Sequence, residues 1–254
     1  SPNIPRTFGS FRDQVMEKHG QYSYAPRVGA LDTVKHVLQP SVRYTRDECF
    51  DLPETVFQTR EAKLTPDQQL HYNEAVKLQK LIQIACGVAY NDRKENVEID
   101  CKPRIQATRE VIDEVGGKVI VFVPLTGTLH MLERELSKHY TVSIVNGEVS
   151  RKKRDIIFHN FQEQTNPRVL IAHPATMAHG LTLTAASTII WYGPITSNEQ
   201  YVQANGRIER IGKRHTSNVV HIEATALERK MYKRLENKQK LQGVLLDLIQ
   251  QEQE

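Results

Sequence analysis

Apolar residues in the second half of the chain form short runs that alternate with amphipathic stretches. Five runs rich in β-branched residues span 118–123, 141–145, 168–172, 188–192 and 219–222. Their near-continuous hydrophobicity is typical of strands that are buried on both faces. Two stretches between the first three runs, 128–139 and 150–162, have the apolar spacing of helices. This alternation predicts an α/β fold with a doubly wound, mainly parallel sheet and helices on both faces.

A helix with a well-defined start is predicted in the first hundred residues, over 64–86. Thr65 is a candidate N-cap, Pro66 occupies the first helical position, and Gln68 completes a capping box. The two capping side chains would satisfy backbone amides that have no partner inside a helix. We therefore expect one helix over this segment.

Other elements upstream are sparse. Residues 41–45 suggest one strand and residues 12–20 one short helix, which is too little for a second full domain. We therefore predict a helical and extended bridging segment over 1–100. The α/β domain is expected over 101–254.

The composition indicates an ordered globular chain. The 254 residues are 39% hydrophobic and carry a formal net charge of +4. This mild positive charge permits binding to nucleic acid but does not demand it, because the basic residues must also cluster on one surface. Composition alone therefore leaves the function open.

The cysteines and the apolar runs bear on the compartment. Cys49, Cys86 and Cys101 are far apart and odd in number, which favours neither a disulfide framework nor a thiolate zinc site and suggests the reducing cytoplasm. No apolar run approaches the roughly 18 residues that span a bilayer, so no membrane partner is expected. The chain starts at Ser1 without a methionine, and we expect it to be a piece of a longer protein.

Motifs that hold a nucleotide or a metal ion are missing from the sequence. A glycine-rich phosphate loop would need G-x-x-x-x-G-K-[S/T], and the nearest match, at 116–119, has its lysine at the start of a strand. The acidic pair at 47–48 follows no apolar strand. His173 and His179 have no third ligand at metal spacing, so no metal site is predicted. The chain by itself is not expected to hold ATP and Mg²⁺.

Arginines are the most suggestive chemical groups in the chain. In the segment 203–213, a helix that ends at Gly212 would place Gln203, Arg207 and Arg210 on one face. Two guanidinium groups side by side suit a polyanion, and an arginine supplied to a transferring phosphoryl group accelerates the reaction by about 10³ to 10⁵. A solvent-facing basic helix end is the alternative. The preceding loop and strand favour a ligand site, because ligands gather at the carboxyl ends of strands in open α/β sheets.

The ordered set of segments resembles the C-terminal RecA-like lobe of superfamily 2 helicases of the Swi/Snf type. The resemblance rests on "VIVFVPLTGTLHMLEREL", "NGEVSRKKRDIIFHNFQ", "VLIAHPATMAHGLTLTAASTIIWYG" and "QANGRIERIGK". The last segment is similar to the family's Q-x-x-G-R-x-x-R-x-G-Q motif, with Lys213 in place of the final glutamine. The third is most similar to phage and prophage members. Residues 43–53 and the following "LTPDQQLHY" resemble the bridge between the two lobes.

The resemblance implies a role for each of several residues toward ATP. Arg207 and Arg210 would be the catalytic arginines that reach the γ-phosphate, with Gln203 and Gly180 beside them in the ATP site. ATP and Mg²⁺ would be held mainly by an N-terminal RecA-like lobe that lies outside these residues.

The resemblance also implies contacts with DNA. Thr126, Thr182 and Thr184 would face the nucleic-acid backbone or relay between it and ATP, because hydroxyl groups suit phosphates without reading sequence. Thr182 replaces the usual asparagine, and Ala175, Met177 and Ala178 stand where relatives have an arginine and paired glycines, which makes this loop a departure from the family pattern.

Lys153 is a further candidate contact to nucleic acid. It belongs to the basic run 151–154, which follows the candidate N-cap Ser150, and a solvated helix face is the competing interpretation. The last basic helix, 228–241, is expected to pack on the core through an apolar stripe of Met231, Leu235 and Leu241. Trp191 is expected in the core.

The function that follows is the second motor lobe of an ATP-dependent DNA helicase or translocase, inactive when isolated. Two alternatives remain open at this point. One is a non-catalytic module that binds nucleic acid or protein, and the other is a motor that acts on RNA, since backbone contacts separate RNA from DNA poorly.

Overall fold

The computed structural model describes residues 5–20, 23–38, 55–75, 77–91, 93, 95–177, 183–208 and 216–237. The chain divides into two compact units, one of 1–50 with 242–254 and one of 51–241. Within the described residues, no helix has the length and apolar character needed to cross a membrane.

The smaller unit pairs two helices with a hairpin. Its elements are α1 (Phe8–Val15), β1 (Met16–Lys18), β2 (Tyr24–Pro26) and α2 (Ala30–Leu38). Thr7 caps α1 by accepting a hydrogen bond from the Ser10 amide at 3.2 Å. The helix expected over 12–20 is wrong in its extent, because Met16 to Lys18 pair antiparallel with β2 instead of continuing the helix. The strand expected over 41–45 lies outside the described residues.

The larger unit alternates strands and helices. In chain order it contains β3 (Thr55–Glu61), α3 (Pro66–Glu74), α4 (Leu78–Ala85), β4 (Val88–Tyr90), β5 (Asn96–Glu98), α5 (Lys102–Val115), β6 (Lys118–Phe122), α6 (Thr126–Leu136), β7 (Val142–Val145), α7 (Arg151–Glu163), β8 (Val169–Ala172), a 3₁₀ turn (Pro174–Met177), β9 (Ala186–Trp191), α8 (Asn198–Asn205) and β10 (Ser217–Glu223). Residues 226–237 are helical and are called α9. Strands β4 and β5 form an antiparallel hairpin.

Six strands form one sheet in the order β3-β10-β9-β6-β8-β7, and every pairing in it is parallel. The predicted α/β class is thus confirmed, and each of the five predicted strands is present. β3 was not predicted. Its residues 55–61 pair with β10 and so belong to the same sheet as the strands downstream. The domain boundary near residue 100 stays a prediction.

The sheet has a hydrophobic layer on each face, which is why its central strands β6 and β8 lack alternation of apolar and polar residues. In β6, Ile120 and Phe122 belong to one buried cluster, while Val119 and Val121 belong to the other. Successive side chains of a strand point to opposite faces. Both faces of β6 are therefore covered, as expected for a central strand of a parallel sheet.

The helix expected over 64–86 is two helices. The capping box is confirmed, since the Gln68 amide donates to Thr65 Oγ1 at 3.2 Å and the Thr65 amide to Gln68 Oε1 at 3.1 Å. However, α3 ends at Glu74 and α4 begins at Leu78. Gln68 Nε2 donates to the Ile84 carbonyl at 2.7 Å. Sixteen residues of unbroken helix would hold those residues about 24 Å apart, so the break lets the two helices pack together.

Candidate functional site

The carboxyl edge of the sheet contains a crevice of about 440 Å³. It opens where β6 lies between β8 and β9, so that the chain leaves neighbouring strands toward opposite sides. Its lining comes from the loops after these strands, through Pro124, Leu125, His173, Pro194 and Ser197, and from α4, through Leu78 and Ile82. The sequence pattern predicts a ligand-binding edge here, and the crevice lies at this edge.

His173 ties two of these loops together. Its Nδ1 accepts a hydrogen bond from the Ala175 amide at 3.3 Å, which assigns the proton to Nε2. Nε2 then donates to the Pro124 carbonyl at 3.1 Å. Burial lowers the pKa of His173 below its usual value, which favours the neutral form of the ring. The loop that leads from β6 into Thr126 is thereby attached to the end of β8.

Thr126 is the first residue of α6 and is half-buried beside this loop. Leu125 precedes it with extended backbone and offers no side-chain cap. The amides of the first turn of α6 therefore have no capping side chain, and such amides favour an anion. This position is compatible with the phosphate contact that the resemblance implies.

Arg207 follows the end of α8 in a turn. The helix stops at Asn205, and the Arg207 amide donates to the Ala204 carbonyl at 3.2 Å. The expected single helical face of Gln203, Arg207 and Arg210 is therefore wrong for the first two, because only Gln203 lies on the helix. Its Nε2 donates to Glu199 Oε1 at 3.1 Å, one turn earlier.

The turn that holds Arg207 is attached to the loop before β9. The Leu183 amide donates to the Arg207 carbonyl at 3.0 Å. The Arg207 side chain is half-buried, and removal from water lowers the pKa of its guanidinium. A cation in a partly dry position is stabilised by an anion, since burial penalises its charge.

Arg207 does not lie at the carboxyl ends of the strands, where the ligand site was expected. Leu183 precedes β9, so its contact places Arg207 toward the amino end of that strand, whereas Thr126 follows the carboxyl end of β6. The reason is that α8 carries the chain back along the sheet after β9. The candidate residues thus lie in two places. The Thr126 region follows the carboxyl end of β6, and the Arg207 region lies toward the amino end of β9. Arg210, Gly180 and Thr182 lie outside the described residues, as does His179.

Thr184 belongs to the Arg207 region and is held by α7. Thr184 Oγ1 accepts a hydrogen bond from Gln162 Nε2 at 3.3 Å, and the Ala185 amide donates to Gln162 Oε1 at 3.1 Å. One glutamine amide therefore holds two consecutive residues of the loop. Sequence reasoning missed Gln162, because a polar residue in the last turn of a helix has no pattern that distinguishes it.

Lys153 is exposed in the first turn of α7, as are Arg151 and Lys152. Ser150 caps this helix by accepting from the Lys153 amide at 3.4 Å, which confirms the predicted cap. Cations near a helix N-terminus are disfavoured by the helix dipole. A polyanion beside this turn would offset that repulsion.

The interior around these regions matches two of the expectations. Trp191 is fully buried, and Leu235 of α9 belongs to the same core cluster. Met231 is partly buried against the core on the other face. Leu241 lies outside the described residues.

Comparisons with known proteins show what the chain is similar to. The helicase conserved C-terminal domain matches residues 103–212. Protein p41 of Acyrthosiphon pisum secondary endosymbiont phage 1 is 26% identical over 189 residues, which are 70% of this chain and 38% of p41. Helicase swr1 of Schizosaccharomyces pombe is 26% identical over 205 residues, which are 76% of this chain and 15% of swr1.

A solved structure agrees on the fold. The SWI2/SNF2 ATPase core of Sulfolobus solfataricus, solved in complex with double-stranded DNA, has a TM-score of 0.56 and 21% identity, with 85% of this chain and 52% of that chain covered. The chain spans well under half the length of both curated relatives. Residues 103–212 therefore match a helicase conserved C-terminal domain, and the chain is similar to helicases of the Swi/Snf type.

Proposed function

We propose that this lobe is the second half of an ATP-dependent DNA helicase or translocase, in which Arg207 and Arg210 reach the γ-phosphate of ATP. The N-terminal lobe, outside these residues, would hold ATP and Mg²⁺. ATP supplies the phosphoryl group, and the arginines stabilise the charge that develops on it. The observation that carries the proposal is the hydrogen bond between the Leu183 amide and the Arg207 carbonyl. It joins the turn 206–208, called the arginine turn, to the loop before β9.

The two regions of the lobe support a division of labour. Arg207, Gln203 and Gly180 would serve ATP, while Thr126 would contact the nucleic-acid backbone. Thr184 lies in the Arg207 region, so we assign it, together with Thr182, to the relay between nucleic acid and ATP. Lys153 would add a contact to a phosphate.

DNA is the proposed polymer, because the Sulfolobus relative was solved with double-stranded DNA. Residues 1–100 would form the bridging segment and the end of the first lobe, and 101–254 the second lobe. The dispersed cysteines favour a reducing cytoplasm, and the match to p41 is compatible with a phage-encoded protein.

The test is the ATPase activity of the full-length protein stimulated by nucleic acid. Arg207→Ala and Arg210→Ala are each expected to lower kcat by at least about tenfold, toward the larger losses seen when a catalytic arginine is removed. Arg229→Ala is the matched control. Arg229 is exposed, and its ion pair with Glu61, at 3.9 Å, lies on the surface, where such pairs contribute little. Equal activity of all three variants would refute the assignment.

The same assay separates the alternatives. A DNA motor should be stimulated by double- or single-stranded DNA well above RNA, whereas an RNA motor should show the reverse order. A binding module would show binding to nucleic acid without any ATPase activity in the full-length protein.

A further inference from the structure

The arginine turn is connected to the centre of the sheet by one buried hydrogen bond. The indole N–H of Trp191, the last residue of β9, donates to Asn205 Oδ1 at 2.9 Å. Asn205 is the last residue of α8 and is only 3% exposed. It lies two residues before Arg207, so this bond holds the point at which the chain leaves the helix for the turn.

The indole is itself held on several sides. The ring centroids of Phe122 and Tyr201 lie 4.9 Å and 5.0 Å from that of Trp191. The Tyr232 hydroxyl donates to the Trp191 carbonyl at 3.2 Å. Side chains packed at this density do not shift without a cost in free energy. Asn205 is therefore bonded to a rigid partner.

The turn has two further attachments. The Leu183 amide donates to the Arg207 carbonyl, and the Ile208 side chain is fully buried in the core. These contacts hold the part of the turn that follows Asn205. The bond to Trp191 adds a directional contact between the Asn205 side chain and the sheet, whereas apolar packing is not directional.

The presence of an amide at this buried position calls for a reason. Burying an amide costs free energy unless it is hydrogen-bonded, and a leucine of similar size would pack among these rings without that cost. A directional bond is what the amide provides and a leucine does not.

We propose that Asn205 is a positioning residue, which sets the location of the arginine turn through its bond to the Trp191 indole. This inference rests on the proposed role of Arg207. A displacement of about 1 Å in a catalytic group can lower the rate about a hundredfold. Loss of the bond is therefore expected to lower kcat without weakening ATP binding in proportion.

The first experiment observes the bond without ATP. Trp191 is the one tryptophan of the 254 residues, and its indole N–H resonance in the ¹⁵N-labelled full-length protein is the one that disappears in Trp191→Phe. Asn205→Leu is expected to move this resonance upfield, as for an indole that has lost its acceptor. Asn160→Leu, on an exposed position of α7, is the control and should leave it unchanged. An unchanged resonance in Asn205→Leu would overturn the inference.

The second experiment measures ATPase activity in the full-length protein. Asn205→Leu should lower kcat by about ten- to a hundredfold with the KM for ATP nearly constant. Trp191→Phe removes the donor of the same bond and tests it even if Asn205→Leu does not fold. The double variant should lose little more than either single variant, because both remove one interaction.

The outcomes separate the two proposals. If the indole resonance shifts while kcat is unchanged, the positioning role is wrong. If Arg207→Ala leaves ATPase activity unchanged, the proposed function fails, whatever the indole resonance shows.

Discussion

At the scale of single residues, Arg104 is a charged side chain in the interior, where it is only 1% exposed. Its Nη2 donates to Glu228 Oε1 at 2.5 Å, and its Nη1 donates to the carbonyl oxygens of Tyr192 and Ile222. Glu228 in turn accepts from the amide of Thr225, at the start of α9, at 3.1 Å. One ion pair thus links α5, two strands and the last described helix.

Removing one member of this pair is expected to destabilise the fold strongly. Burial opposes the charge of Arg104, but Glu228 outweighs it and raises the pKa of the guanidinium. Arg104→Met would leave Glu228 as a buried charge without its counterion, so we expect a loss of about 3 to 5 kcal/mol in the free energy of unfolding by urea. Arg134→Ala, which breaks an exposed pair with Glu98, should cost about 1 kcal/mol or less. Equal losses would contradict this account.

His221 makes the stability of the lobe depend on pH. Its Nε2 is 2.8 Å from the Tyr201 hydroxyl and its Nδ1 is 3.4 Å from Glu236, while Tyr232 stacks on its ring. Burial lowers the pKa of His221 from 6.5 to about 4. The unfolded state therefore binds the proton more readily than the folded state between these pH values.

Stability should fall as the pH drops from 6.5 toward 4, by up to roughly 3 kcal/mol from this residue. Urea unfolding at several pH values across this range measures the loss. His221→Phe keeps a ring against Tyr232 but has no titrating group, so its stability should depend less on pH. The same pH dependence in both proteins would exclude His221 as the cause.

At the scale of elements, a glycine turn organises the region before α5. Gly87 has φ of +85°, in the left-handed region that favours glycine, and its amide donates to the Ile84 carbonyl at 3.0 Å as α4 ends. A Cβ atom at this position would lie 2.2 Å from Cys101 Sγ. The turn therefore requires glycine for its backbone and for the space beside it.

Gly87→Ala should accordingly destabilise the protein by about 1 to 3 kcal/mol or more, from strain and overpacking together. Gly147→Ala is the matched control, since nothing lies within 4 Å of a Cβ there and its φ is not positive. Thermal unfolding of the two variants measures the difference. A Gly87→Ala protein as stable as the control would show that the turn adjusts freely.

Elements were predictable from the sequence where local rules decide them. The buried strands and the caps at Thr65 and Ser150 follow from hydrophobic runs and side-chain chemistry. The break between α3 and α4 does not, because it depends on a bond from Gln68 to Ile84, sixteen residues away. β3 was missed for a similar reason. Its residues are mostly polar, so no apolar run predicts a strand, and its pairing in the sheet is with the distant strand β10.

At the scale of the whole molecule, the sheet separates the two candidate regions. The loops after β6, β8 and β9 form the crevice near Thr126, while α8 returns the chain toward the beginning of β9. Residue types and order in the sequence indicated which residues to consider. Their separation could not be read from it, because it depends on where α8 ends.

Contact with a polyanion should leave a signature in the salt dependence of binding. If Lys153 contacts a phosphate, Lys153→Ala should weaken DNA binding similarly for all sequences and reduce the slope of log K against log salt concentration by about 1. Lys233→Ala, an exposed lysine on α9, is the control and should leave the slope unchanged. Fluorescence anisotropy titrations at several salt concentrations measure both slopes.

The central claim is that Arg207 stabilises the charge on a phosphoryl group during its transfer. The affinity of the full-length protein for a transition-state mimic tests this claim most directly. In the full-length protein, Arg207→Ala should weaken binding of ADP with aluminium fluoride by at least about tenfold, while binding of ADP alone changes by less than about twofold. Affinities for both ligands that match those of the unmodified protein would contradict the account.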